Sequence, residues 1–470
     1  MQIPFFKTGG QASTNRKIFR AAVTVAAAGL LAKGGLAMKE LIVARAFGRG
    51  DDLDAFLIAF VLPSFMLNLV MGSLGAAFVP AFVDVRQKEG VAAAQKLLSS
   101  VAALSLAVMV VMAVVLGVLA PYYLPMLASS FSPQKLHLTR ELLYWILPFI
   151  LFSGLSTFVS AVLNAGEKFA LPAVVPLVTP LVTIFCIWLG AGRFGAFALA
   201  VAVTFGSLLE AALLARSLRA HGLALRLGRV RLDPALRAVL SQYAPMFAGS
   251  FLMCSTTVVD QAMAAMLPGG SVAALSYANK TVGLVLAVCA TALSTATLPY
   301  FSQMAAKRDW NGCRNTLRRY STLVFGLAMP FTLVLIVFSK PLVQILFQRG
   351  AFNNSDTALV SRVQAFYAIQ VPFYICGMLF VRFLSAVRRN DFLMYGSAIS
   401  LILDVALNLL FMRIYGVSGI ALSTSLVYVF AFLFLGGCTI RVLSRQIELE
   451  AAALDEEPAS KSATENTVCV

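Results

Sequence analysis

Lys33, Lys39 and Lys280 are cations set in otherwise apolar stretches, and Glu40, Asp54, Asp260 and Asp404 are carboxylates in the same setting. An ionised group at the centre of a hydrocarbon layer costs at least ~2.5 kcal/mol. These residues are therefore expected to face a wet cavity or one another. Three lysines converging on one cavity would bind a polyanion, a diphosphate above all, through charge-assisted hydrogen bonds. The competing arrangement is local pairing, with Lys39 held by Glu40 or Asp54. Lys33 and Lys39 lie about 600° apart around a regular helix, so they do not share one narrow face. Gly34 and Gly35 between them permit a bend that would aim both inward. Asp404 and Asn408 have the i,i+4 spacing that stacks two side chains on one helix face. Their oxygens suit a small hard cation, and they equally suit a polar contact between helices.

Other chemistries find little support. The DDLD run at Asp51 to Asp54 resembles the DxD of metal-using glycosyltransferases, but Asp51 or Asp52 also fits a helix N-cap. No Gly-rich phosphate loop, nucleophile elbow or HExxH occurs in the sequence. The seven cysteines are scattered without a CxxC, and the two histidines are His137 and His221, so neither a disulfide framework nor a histidine metal site is expected.

The elements that must position these groups are long apolar helices. Of 470 residues 60% are hydrophobic and 12% charged, against roughly half and a quarter in soluble domains. The apolar residues come in runs such as 97–120 that match the ~20 residues needed to cross ~30 Å of hydrocarbon. The alternation of a membrane barrel is absent, so helices must satisfy the backbone. The pattern predicts an all-α, polytopic membrane protein with about 12 spans, the first at 18–47, the seventh at 238–266 and the tenth at 357–387. The net charge of +16 is read as cations in short loops on one membrane face, with no nucleic acid as partner. With the N-terminus inside, 24 lysines and arginines fall on the inner side and 8 on the outer, which predicts cytoplasmic termini.

The longest inner loop divides the chain. The expected organisation is a cytoplasmic N-terminus (1–17), a lobe of helices 1–6 (18–215), a cytoplasmic loop (216–237), a lobe of helices 7–12 (238–445) and a disordered cytoplasmic tail (446–470). GAAFVPAF (75–82) matches STATLPYF (294–301), Pro148-Phe149 recurs as Pro372-Phe373, and Ser160-Ala161-Val162 as Ser385-Ala386-Val387. Repeats of even span number share one topology and imply a pseudo-twofold axis along the membrane normal, as in alternating-access carriers.

VARAFGRGDDLDAFLIAFVLP (43–63), AAFVPAF (76–82), LSYANKTVG (275–283), TATLPYFS (295–302), LFQRGAFNNSDTALV (346–360) and NLLFMRIYGVSGIALSTSL (408–426), in this order and spacing, resemble the MurJ/MviN family of lipid II flippases, within the multidrug/oligosaccharidyl-lipid/polysaccharide exporter superfamily. The resemblance implies two pseudo-symmetric six-helix lobes in a V around a cationic cavity. It implies substrate contacts from Lys33, Lys39 and Lys280, which stand where the family has arginines, with Glu40 and Asp54 beside them. It also implies a sodium site formed by Asp260, Asp404, Asn408, the Ile420 carbonyl and Thr424, with Asp and Asn exchanged between the two positions of helix 11. The family's basic pair in helix 2 is replaced by Leu67 and Asn68, and the acidic residue after it by Met71. Lysine keeps the charge of arginine but not its bidentate fork.

The expected function is a flippase, not an enzyme, for an undecaprenyl-diphosphate-linked glycan: a lipid II-type precursor or a related exopolysaccharide or O-antigen unit. Membrane lipids and cell-wall or polysaccharide assembly proteins are the expected neighbours. A multidrug cation antiporter would offer acidic and aromatic groups in place of lysines, a membrane glycosyltransferase would need a large catalytic loop, and a scaffold of polysaccharide assembly is the remaining alternative. The topology is directly testable. A single cysteine at Ser444 is expected to resist a membrane-impermeant thiol reagent added from outside, and rapid labelling there would overturn the orientation.

Overall fold

The computed structural model describes residues 9–166, 168–223 and 233–465. Lys7, Arg226, Arg229, Arg231 and Cys469 lie outside the described residues. Among the described residues every regular element is helical. In chain order these are α1 (Gly9–Phe47), α2 (Asp51–Lys88), α3 (Val91–Leu127), α4 (Pro133–Ala165), α5 (Ala170–Val174), a 3-10 turn (Val175–Leu177), α6 (Val178–Phe194) and α7 (Phe197–Ala220). There follow α8 (Pro234–Ala265), α9 (Ser271–Ala306), α10 (Trp310–Val337), α11 (Ser339–Phe347), α12 (Asn354–Ala368), α13 (Gln370–Ala386), α14 (Asn390–Tyr415) and α15 (Val417–Glu465).

Among the described residues ten segments are long and apolar enough to cross a membrane. They coincide with every expected span but the first and seventh. Those two are α1 and α8, 39 and 32 residues long, hence long enough at 1.5 Å per residue. α8 is set apart by composition, carrying Ser250, Ser255, Thr256, Thr257, Asp260 and Gln261. α1 carries Lys33, Lys39, Glu40 and Arg45 in its C-terminal half.

The expected tenth span is two helices, α12 and α13, parted at Ile369. Ser425 Oγ donates to the Phe366 carbonyl at 2.6 Å beside the break, which satisfies a polar group that lipid would leave bare. The expected outer loop after α10 contains α11. The segment from 446 was expected to be disordered, and the structure instead carries α15 on to Glu465. Glu448 to Leu454 are all strong helix formers, and prolonging an existing helix avoids the cost of nucleation.

The chain forms two compact units, Met1–Ala273 with Leu346–Asp356, and Ala274–Ile345 with Thr357–Val470. The division does not fall in the 216–237 loop, because α8 packs along α2 and α3. Phe65 and Phe251 meet with ring centroids 5.9 Å apart, and Ser73 and Ser250 share a hydrogen bond of 3.1 Å. The core of the first unit lies among α2, α3, α4 and α7, where Phe78 touches Phe82 and Phe158 at 5.3 and 5.1 Å. In the second unit α10, α13 and α15 pack together and Phe301 meets Phe383 edge-on at 5.9 Å. Phe82 and Phe301, matched in the repeat, are each buried in their own core, at 0% and 1% exposure. Phe82→Ala and Phe301→Ala are each expected to destabilise the protein by about 3–5 kcal/mol, read as a lowered melting temperature in detergent. A loss under about 1 kcal/mol at either site would contradict the placement.

Candidate functional site

α1 packs against α5, the 3-10 turn and α6. It passes through Gly34 and Gly35 as unbroken helix. A Cβ on Gly35 would stand 2.6 Å from Leu177 Cδ2, so the missing side chain lets the two elements close up. Lys33 and Lys39 are both partly exposed. Lys39 Nζ lies 2.8 Å from Glu40 Oε1, the local pairing that the sequence left open. A partly exposed pair of this kind holds by no more than ~1 kcal/mol.

Asp54 is placed quite differently. α2 begins after Gly50, which is its N-cap. Asp51 and Asp52 therefore stand within the first turn and neither is the cap that was expected; there they still favour the positive helix end. Asp54 is 1% exposed. Its Oδ2 accepts from Lys135 Nζ at 3.0 Å and from Gly270 N at 2.6 Å, and its Oδ1 accepts from Ala273 N at 2.8 Å. The carboxylate thus caps the first turn of α9 from another helix, satisfying N–H groups that a helix start leaves without partners. Lys135 Nζ also binds Asp51 Oδ1 at 2.6 Å and lies 4.0 Å from the centre of the Phe131 ring. With both oxygens engaged, Asp54 ties α2 to the starts of α4 and α9.

A second tie adjoins it. Arg49 Nε donates to Asp356 Oδ1 at 3.0 Å. Asp356 and Asn353 cap each other reciprocally, backbone N–H to side chain, at 3.0 Å both ways, the geometry of a capping box. Ala351 N donates to the Arg45 carbonyl at 2.9 Å. Gly270 and Gly350 have φ of +80° and +62°, and a Cβ on either would run into the carbonyl of Arg49 or Arg45, so the close approach requires glycine. The stretch 43–63 and the first part of 346–360, up to Asp356, both of which carried the resemblance, are therefore joined in the first unit.

Sequence reasoning missed Lys135. A signal was present. Lys135 follows a Ser132-Pro133 helix start, and Ser132 Oγ accepts from Lys135 N at 3.3 Å. A cation in a first turn opposes the helix dipole and calls for a carboxylate partner.

In the second unit Lys280 is exposed on α9. Asp404 and Asn408 are buried on α14, at 1% and 0% exposure, and α14 packs on α15. On α15 Ile420 is fully buried and its carbonyl accepts from Thr424 Oγ1 at 3.0 Å. Asp260 is buried on α8, in the first unit. The structure thus brings four of the five expected sodium ligands into one unit, and it places Lys33 and Lys39 in one unit and Lys280 in the other. Among the described residues no three His, Cys, Asp or Glu side chains form a group suited to a metal. Any cation at α14 and α15 relies on neutral oxygens as well as carboxylate.

Residues 43–455 match the family model described as Lipid II flippase MurJ. The chain belongs to this family. It is a family of transporters, not enzymes, and the protein is a multi-pass membrane protein. A probable lipid II flippase MurJ of Synechocystis is 26% identical over 429 residues, covering 87% of this chain and 79% of that relative. The lipid II flippase MurJ of Burkholderia cenocepacia is 28% identical over 362 residues, covering 75% and 70%. Among solved structures, a lipid II flippase MurJ in an inward closed conformation superposes with a TM-score of 0.77 at 21% identity, covering 93% of each chain. An inward-facing multidrug resistance MATE family transporter of the MOP superfamily gives 0.75 at 13% identity, over 91% of this chain and 99% of that one. At such identities the two superpositions speak for the fold alone.

The Asp54 tie predicts a specific stability pattern. Lys135→Ala is expected to cost about 3–5 kcal/mol, because it strands a buried carboxylate. Lys135→Met combined with Asp54→Asn should recover a large part of that loss. Thermal unfolding in detergent measures both, and additive losses in the double variant would contradict the pairing.

Proposed function

We propose that this protein moves an undecaprenyl-diphosphate-linked glycan from the inner to the outer leaflet of the bacterial cytoplasmic membrane by alternating access. The glycan is a lipid II-type peptidoglycan precursor or a related exopolysaccharide or O-antigen repeat unit. The observation that carries the reading is the family match over residues 43–455. The chemistry of the lysines supports it. A diphosphate cannot cross hydrocarbon bare, since burying unpaired charge costs many kcal/mol. Lys33, Lys39 and Lys280 replace its water with charge-assisted bonds. The weak Lys39–Glu40 pair opens when phosphate competes for the ammonium and re-forms on release. Lysine selects less by geometry than arginine, which suits a carrier tolerant of its glycan. Transport requires only that the inward and outward states differ in affinity.

Sodium is the coupling ion in this reading, held at Asp404, Asn408, Thr424 and the Ile420 carbonyl. The donors are oxygen throughout, as a hard cation requires, and the two side chains on α14 are buried. The cation bias supports cytoplasmic positions for both termini. The partners are the lipid-linked glycan and membrane lipids, with cell-wall or polysaccharide assembly proteins as neighbours and no nucleic acid.

Two experiments test this. In cells that depend on the protein, Lys39→Ala and Lys280→Ala are expected to abolish appearance of lipid-linked glycan on the outer leaflet at normal protein level, while Lys→Arg at each site retains it; normal flipping by both alanine variants would sink the mechanism. Removing sodium and substituting Asp404→Ala should each lower transport about tenfold or more. Transport indifferent to both would refute sodium coupling.

A further inference from the structure

The first unit holds an apolar groove to which the lysine chemistry assigns no task. It has a volume of about 350 Å³ and lies among α2, α3 and the N-terminal half of α8, with Leu74, Val101, Val108, Leu236 and Phe247 in its walls. Ser105 also lines it, but its hydroxyl already donates to the Val101 carbonyl at 2.6 Å. The groove therefore presents hydrocarbon almost throughout. Its walls run from Val101 to Met112 along α3 and from Leu236 to Phe247 along α8, about 16 Å of helix in each case. That length is about half of a ~30 Å hydrocarbon layer, or one leaflet.

Cations mark one end. Arg237 follows Leu236 in the first turn of α8, and Lys96 precedes Val101 on α3 by little more than one helical turn; both are exposed. A phospholipid brings two chains and one phosphate, whereas a polyprenyl diphosphate brings one chain and two phosphates. One apolar groove with two cations at one end matches the second by charge. We infer that it seats the phosphate-proximal isoprene units of the carrier lipid in the inner leaflet, with Lys96 and Arg237 at the diphosphate. This would be a loading station that the substrate occupies before it reaches the lysines of α1, and it rests on the transport reading above.

The test uses the full chain in phosphatidylethanolamine and phosphatidylglycerol liposomes containing a small fraction of undecaprenyl diphosphate. A benzophenone-bearing residue replaces either Val108, in the groove, or Val111, outside it and 60% exposed. The inference expects adducts at position 108 enriched at least tenfold in the polyprenyl lipid over its share of the bilayer, and adducts at position 111 that mirror the bulk lipid. Capture at position 108 should fall several-fold in Lys96→Ala combined with Arg237→Ala. Bulk composition at both positions, or phospholipid alone at position 108, would overturn it. Flipping of a lipid-linked glycan is measured in the same liposomes with the unsubstituted protein. Normal flipping with bulk-like capture removes the groove alone, whereas specific capture without flipping removes the transport reading and leaves the groove.

Discussion

A charge inside a hydrocarbon layer must be matched by another charge, by hydrogen-bond donors or by water, and the arrangement of this chain follows from how each charge meets that demand. Asp54 is the clearest case. Its carboxylate is 1% exposed and bound by Lys135 and by the N–H groups of Gly270 and Ala273. It therefore ties the start of α2, the start of α4 and the first turn of α9 at one point. The Arg49–Asp356 pair and the Ala351–Arg45 bond add the segment before α12. Losing one member of such a group costs more than a surface pair ever supplies, so the charges here are committed to structure.

The lysines assigned to transport differ in the way the function needs. Lys33 and Lys39 are partly exposed and Lys280 is exposed. The Lys39 partner is a neighbouring glutamate on the same helix. A binding group must exchange its partner during a cycle, and a locked ion pair cannot. Asp54 is satisfied within the first unit, and Asp404 and Asn408 are buried together on α14 in the second.

Much of the fold was legible because apolar runs long enough to span a membrane leave few alternatives. The runs at 97–120 and 195–215 lie almost wholly within α3 and α7. What failed depended on partners distant in sequence. Lys135 and Asp54 are 81 residues apart, and nothing local to either residue names the other. The first turn of α9 is capped by a helix that ends long before it, so DDLD read locally suggested a cap on α2 itself. The compact units divide after Ala273 and not in the 216–237 loop, since α8 packs with helices of the first half. The helical tail was the one local miss: a charged, Ala-rich composition was taken as disorder where continuity with α15 favours helix. Lys33, Lys39, Asp404 and Asn408 stood out because charge and amide are rare in such stretches, and all four were legible as residues before any geometry was known.

The most direct measurement is leaflet movement by the purified protein. Liposomes carrying a polyprenyl-diphosphate-linked glycan on one leaflet would be mixed with a membrane-impermeant enzyme that modifies only exposed glycan. The account predicts that the wild-type protein makes the protected pool accessible, and that the Lys39→Ala, Lys280→Ala double variant, folded to the same melting temperature, does not. Protection that persists with wild-type protein across lipid II-type and exopolysaccharide-type substrates, or equal movement by the double variant, would contradict it.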